Sequence, residues 1–163
     1  MENNGKLMEQ VKNLSIKVNG QVEESFGVII LKVDAAYIIE TLTAAKKFTE
    51  FPCDFLHDLC GMDLVDHFEV VYQLSSFHGP QTLRVKAIIN RENPVVDSVT
   101  RLWQGADYLE REAYDMFGII FNGHPNLKRI YLWDDFEGYP LRKDYVTEPI
   151  EVRNITRTRI EGE

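Results

Sequence analysis

The stretch EREAYDMFGIIFNGHPNLKRIY, Glu110 to Tyr131, runs a densely charged segment straight into an aromatic, proline-broken, basic one. Its first half reads as a helix. Asp107 can serve as N-cap with Glu110 three residues on, a capping-box arrangement, and acidic side chains in a first turn suit the helix dipole. Leu109, Ala113, Met116 and Phe117 share one face, which predicts that face buried. Gly118 stands where a left-handed residue ends a helix. Glu110, Arg111, Glu112 and Asp115 fall on the other arcs, which predicts a solvated face with Arg111 pairing Asp115 one turn on.

Outward from this join, Leu7, Met8, Val11 and Leu14 share the face of an N-terminal amphipathic helix. Ile16 and Val18 alternate into an Asn19-Gly20 turn, and Phe26 to Val33 is β-rich, which predicts a first strand pair. Asp34 can cap a second helix with Ile38, Ile39, Leu42 and Ala45 inward. Three strands follow, roughly 53–65, 68–74 and 82–90, the last two joined at His78-Gly79-Pro80. Leu83, Val85, Ala87 and Ile89 alternate with Arg84 and Lys86, as on a sheet covered on one face. Pro94 can start a short helix through Trp103, ended by Gly105. The sum is an α+β fold, a two-layer domain with helices covering a mixed or antiparallel sheet.

After Phe121 periodicity stops. Residues 122–163 hold Tyr131, Trp133, Phe136, Tyr139 and Tyr145 with Arg129, Arg142 and Lys143. Tyr, Trp and Arg are enriched at interface hot spots, and long unpatterned segments are usually functional or linkers. The expected division is an α+β core domain over 1–121 and an extended, partner-binding C-terminal arm over 122–163, with folding back onto the sheet as the alternative.

Composition narrows the class. A chain of 163 residues suits one domain, and 44% hydrophobic with 27% charged residues is ordinary globular usage. The longest apolar run, Val28 to Leu31, is too short to span a bilayer and no secretory segment is expected, so membrane attachment would come through partners. The net charge of -8 argues against nucleic acid. Residues 1–123 carry 11 basic against 18 acidic side chains and residues 124–163 carry 7 against 8, so the second part is nearly neutral.

Cys53 and Cys60 are too few for a secreted disulfide scaffold and read as reduced, partly buried thiols. With His57 they form a C-x3-H-x2-C spacing, which Asp63, Asp66 or His67 could complete as a metal site. Strand alternation, however, sends Cys60 to the opposite face from Cys53 and His57. Two cysteines cannot supply the usual four thiolates of an iron-sulfur cluster. No G-x-S-x-G, Walker-type or G-x-G-x-x-G motif is present. His57-Asp58 and Asp66-His67 are neighbours that would diverge in a strand, so neither makes a base with its orienter. His124, between Gly123 and Pro125, reads first as the anchor of a bend through a ring hydrogen bond.

The order Glu110-Arg111-Glu112, Asp115-Met116-Phe117, His124, Lys128, Ile130, Tyr131 resembles the signature of the C-subunit family (the 30-kDa type) of respiratory complex I, the NADH:quinone oxidoreductase. FLHDLCGMD (Phe55 to Asp63), Ser98 to Trp103 and GYPLRKDY (Gly138 to Tyr145) resemble further family segments, so the likeness covers roughly residues 20–150. Cys60 stands where the family pattern has Thr; both are small. The resemblance implies a non-redox structural subunit of the peripheral arm, beside the large quinone-module subunit and the small iron-sulfur subunit. It implies no cofactor in this chain, flavin and iron-sulfur clusters lying in partners, and a peripheral place on the cytoplasmic face of the cell membrane. Under it Glu110, Arg111, Glu112, Asp115, His124, Lys128 and Arg129 order the signature turn, and Arg142, Lys143, Asp144 and Tyr145 reach neighbours. The same likeness extends to the equivalent subunit of a membrane-bound hydrogenase or another dehydrogenase feeding a quinone module.

Overall fold

Every second side chain from Gln81 through Leu83, Val85 and Ala87 to Ile89 is buried, while Arg84 and Lys86 between them lie half-buried on the other side. The computed structural model describes residues 2–77 and 79–146. In chain order the elements are α1 (Glu2–Lys17), β1 (Gln21–Ser25), β2 (Val28–Asp34), a 3-10 turn (Ala35–Tyr37), α2 (Ile38–Lys46), β3 (Phe55–Asp63), β4 (His67–Ser76), β5 (Gly79–Asn90), β6 (Val95–Asp97), α3 (Ala106–Phe117) and β7 (Ile120–Asn122). Five strands form one sheet in the order β1-β2-β5-β4-β3, with β2 and β5 parallel and the other pairings antiparallel. The expected α+β class with a mixed sheet is therefore the observed one.

The helices form the second layer. Leu7, Val11 and Leu14 of α1 and Ile38, Leu42 and Ala45 of α2 join Leu31, Val70, Tyr72, Leu74 and Val85 of the sheet in one core. Each large side chain so buried contributes about 1.5–3 kcal/mol. The opposite sheet face carries cross-strand polar pairs instead. Lys86 Nζ meets Glu69 at 2.8 Å, Arg84 Nε donates to Gln73 at 2.9 Å, and Lys32 meets Glu23 at 2.8 Å. No described helix is long and apolar enough to cross a membrane.

Several boundaries differ from the sequence expectations. α1 runs through Ile16, which is exposed, and Asn19-Gly20 ends that helix: Asn19 is left-handed at φ 50° and Gly20 N–H reaches back to Ser15 O at 2.8 Å. The hairpin turn is Phe26-Gly27 instead, both at positive φ as a type I′ turn requires. Asp34 does cap, accepting from Ala36 N at 2.9 Å, but it caps the 3-10 turn that leads into α2. Gly79 and Pro80 already belong to β5, and His78 lies outside the described residues. Pro94 starts no helix. Val95–Asp97 is a strand parallel to Ile120–Asn122, and the resembling segment 98–103 makes only a turn, with Leu102 N and Trp103 N both donating to Val99 O. The parallel pairing of β6 with β7 makes α3 its crossover. That crossover is packed against β3, where a Cβ on Gly61 would come within 2.7 Å of the Phe117 ring.

Candidate functional site

The inward side of α3 is ionic. Glu110 and Asp115 are fully buried and Arg111 nearly so, whereas Glu112 stays exposed. This overturns the expected solvated face: of the four charges only Glu112 meets water. Ala113 is buried, and Leu109 and Phe117 pack against the core as partly buried side chains. Gly105 is the N-cap, without a side-chain bond, so Asp107 and Glu110 form no capping box. Gly118 ends the helix in the left-handed region at φ 71°, as its position predicts.

Each buried charge ties a different segment to the helix. Glu110 holds the loop before it: Ser98 Oγ donates to its Oε2 and Val99 N to its Oε1, each at 2.7 Å. Burial pushes the Glu110 carboxyl up to about 7, although these two hydrogen bonds favour the charged form, and nearby Asp107 raises it further.

Asp115 holds the chain that follows. Its Oδ2 accepts from the consecutive amides of Ile130 (3.0 Å), Tyr131 (2.7 Å) and Leu132 (3.1 Å), and its Oδ1 from Arg129 Nη1 at 2.9 Å. Burial alone would raise this carboxyl, but the amides and the guanidinium outweigh it and hold it below the usual range. Arg129 Nη2 then donates to Phe136 O and Gly138 O at 3.2 and 3.1 Å. The predicted Arg111–Asp115 pair does not form. Arg111 Nε donates instead to Lys128 O at 3.2 Å.

His124 anchors its bend as expected. Asn126 N donates to its Nδ1 at 3.0 Å, which leaves the ring proton on Nε2, 3.2 Å from Asp107 O. Arg142 Nε donates to Phe117 O at 2.6 Å at the helix C-terminus, with its guanidinium over the rings of Tyr139 and Phe68 at 4.5 and 5.1 Å. Asp144 pairs with Arg91 at 3.0 Å, and Tyr145 stacks on Phe136 at 6.2 Å. Lys128 and Lys143 use backbone atoms in these contacts and are exposed residues. Of the named residues, then, Glu110, Arg111, Asp115, His124 and Arg129 converge on α3. Arg142, Asp144 and Tyr145 turn toward the chain itself, and Glu112, Lys128 and Lys143 lie at the surface.

Asp63, at the end of β3, is expected from the sequence as a possible metal ligand and as the last residue of the Phe55–Asp63 segment that resembles the family. It accepts from Val65 N at 2.7 Å, Lys143 N at 2.9 Å and the Arg91 guanidinium, closing residue 143 onto the sheet edge. Burial works against its charged form, but these donors carry the carboxyl down to about 2. Among the described residues no three His, Cys, Asp or Glu gather as a metal site. Cys53 is buried, which pushes its thiol up to about 12, while Cys60 is exposed rather than partly buried. His57 meets Ser75 Oγ at 2.7 Å. Asp66 does contact His67, at 3.0 Å, because Asp66 lies in the turn before β4 and escapes the divergence expected of strand neighbours. The roles of Asp63, Arg91, Ser98 and Tyr72 are not legible in the sequence; Asp63 and Ser98 carry a signal, as the last residue of the Phe55–Asp63 segment and the first of the Ser98–Trp103 segment.

Two solved structures share this architecture. The Nqo5 trypsin-resistant fragment (1-134) matches with a TM-score of 0.66 and 30% identity, over 75% of this chain and 99% of that one. A chain of the membrane-bound sulfane sulfur reductase, an archaeal respiratory membrane complex, matches with a TM-score of 0.72 and 25% identity over 86% of each. The chain belongs to the family described as respiratory-chain NADH dehydrogenase, 30 Kd subunit, which matches residues 31–151. It is 46% identical over 110 residues to the NADH-quinone oxidoreductase C subunit of Roseiflexus sp. (strain RS-1), covering 66% of this chain and 63% of the relative. It is 44% identical over 137 residues to the protein of the same name from Sinorhizobium medicae, covering 80% and 67%. The chain thus spans 63% of the length of the Roseiflexus relative.

Proposed function

We propose that this chain serves as the C subunit of an NADH-quinone oxidoreductase, a non-redox structural part of the peripheral arm that supports electron transfer from NADH to quinone coupled to ion translocation. Family membership over residues 31–151 carries the reading, and identities of 42 to 46% with proteins of that name support it. Catalysis belongs to the assembly, with no catalytic site or cofactor in the isolated chain and the flavin and iron-sulfur clusters in its partners. The large quinone-module subunit and the small iron-sulfur subunit are the partners, and the place is the cytoplasmic face of the cell membrane, reached through them.

What favours a holding role is how the buried charges of α3 are used: their partners are backbone and side-chain groups of this chain. The same ties leave Tyr131, Trp133, Leu141 and Val146 exposed along the first part of the arm, as a docking surface needs. Residues 147–163 of the arm lie outside the described residues. A second reading, the equivalent subunit of a related respiratory complex, is favoured by the likeness to the sulfane sulfur reductase chain over 86% of this one.

Purification from native membranes in mild detergent through a C-terminal tag tests both. Co-elution with flavin and iron-sulfur subunits and NADH:quinone activity is the expected result. Co-elution with a hydrogenase or sulfur-reducing module would support the second reading, and a lone chain in the soluble fraction would end both.

A further inference from the structure

We propose that Glu110 is a proton-binding site, connected to the surface by the hydroxyl groups of Ser98 and Thr100. The carboxyl is fully buried, and among the described residues no Lys or Arg pairs with it. What faces it is poorly suited to balance a negative charge. Asp107 stands one turn back on α3. His124 Nε2 lies 3.9 Å from Glu110 Oε2, beyond hydrogen-bond distance, and stands closer to Asp107 Oδ1 at 3.5 Å, while its Nδ1 accepts from Asn126 N. From the sheet comes Tyr72, fully buried, whose hydroxyl has no hydrogen-bond partner and feels Glu110 and Asp97. An ionised carboxyl held this way is costly, and taking a proton removes the cost.

The neighbouring hydroxyls let the proton arrive without rearrangement. Ser98 Oγ lies 2.7 Å from Glu110 Oε2 and 2.9 Å from Thr100 Oγ1, and either hydroxyl of the second pair can donate. With Glu110 charged, Ser98 donates to it and Thr100 donates to Ser98. With Glu110 protonated, each hydrogen is reversed: Glu110 donates to Ser98, and Ser98 to Thr100. One proton delivered to Thr100 Oγ1 therefore appears on Glu110 as each oxygen passes its own hydrogen inward, and no other group changes charge. Thr100 also lines an open cavity of about 600 Å³ with Arg101 and Gln104, which gives water access to the outer end of the chain. Burial of the carboxyl, pushing it up to about 7, places the exchange near neutral pH.

The test is a pH titration of the full-length chain labelled with 13C at glutamate side-chain carboxyls, reading the Glu110 resonance. Its disappearance in Glu110→Gln, or through-bond correlation from the Glu110 amide, assigns it. A midpoint near 7 is expected. Ser98→Ala removes a donor to the charged form and should raise the midpoint by about half a pH unit or more. Thr100→Val leaves the Ser98 hydrogen without an acceptor in the protonated form and should lower it by a similar amount. Shifts of opposite sign are not what a packing role alone produces. A Glu110 already ionised at pH 5, or a midpoint that neither substitution moves, overturns the proposal.

Discussion

Asp115 and Arg129 meet across a 2.9 Å ion pair whose carboxylate also accepts the amides of the residues immediately following that arginine. One side chain thereby fixes the whole Ile130–Leu132 turn. Removing one partner of a buried pair leaves the other uncompensated, at a cost of about 3–5 kcal/mol. Asp115→Ala should lower the urea midpoint accordingly and speed tryptic cleavage at Lys128 and Arg129, while Asp115→Asn, which still accepts through one oxygen, should lose less. Stability unchanged within about 0.5 kcal/mol in both would refute the assignment.

Two carboxyls predict opposite pH dependences. The Asp63 carboxyl is depressed in the fold to about 2, so its stabilisation is present above the unfolded value and disappears as pH falls through about 2. At neutral pH Asp63→Asn should cost about 2 kcal/mol by linkage, a difference that shrinks toward zero in strong acid.

The Glu110 carboxyl is raised to about 7, so its contribution is fully present below the unfolded value and is lost as pH rises through 7. The wild-type chain should therefore lose about 1 kcal/mol from this group between pH 6 and pH 8. Glu110→Gln imitates the protonated form, since its amide can donate to Ser98 and its carbonyl can accept from Val99 N. Denaturant unfolding of that variant should lack this part of the slope.

Arg142 caps the last turn of α3 through the Phe117 carbonyl and lies over two aromatic rings. Arg142→Lys keeps the charge but not the planar fork that both contacts use. It should cost about 1–2 kcal/mol in the isolated chain, and Arg142→Ala more. A thermal midpoint unchanged by both, together with lost assembly, would instead assign Arg142 to a partner.

Gly118→Ala should destabilise by more than about 1 kcal/mol from backbone strain alone, because φ there is 71°. The new methyl would also come within 2.5 Å of the Tyr139 ring and 2.6 Å of Arg142 Nη2. Circular dichroism melts of the variant check this, and an unchanged melting temperature would contradict the close approach of that loop.

The sheet and its covering helices are legible in the sequence because their signals are periodic. Alternation in β5 and helical spacing in α1 and α2 report burial directly, and apolar residues bury for the same reason in most contexts. The turns are less legible. Asn19-Gly20 suits two roles, and only the pairing of Gln21–Ser25 with β2 shows that it ends a helix, leaving the hairpin to the unpromising pair Phe26-Gly27. Pro94 can open a helix or precede a strand, and the choice is made by Ile120–Asn122, more than twenty residues away. The site hides from sequence for a related reason. A Glu or Asp on a helix gives no sequence sign of being buried, because what makes Glu110 and Asp115 tolerable inside is a set of amides from residues 99 and 130–132.

Those amides also govern how the arm meets its surroundings. Arg129 grips Asp115, Phe136 and Gly138 at once, so the span that displays Tyr131 and Trp133 at the surface is fastened at both ends. Side chains presented from such a frame have little backbone freedom left to surrender on contact. Their orientation is set by the chain itself, so a partner docking there, as proposed above, would be recognised by fit rather than by adaptation.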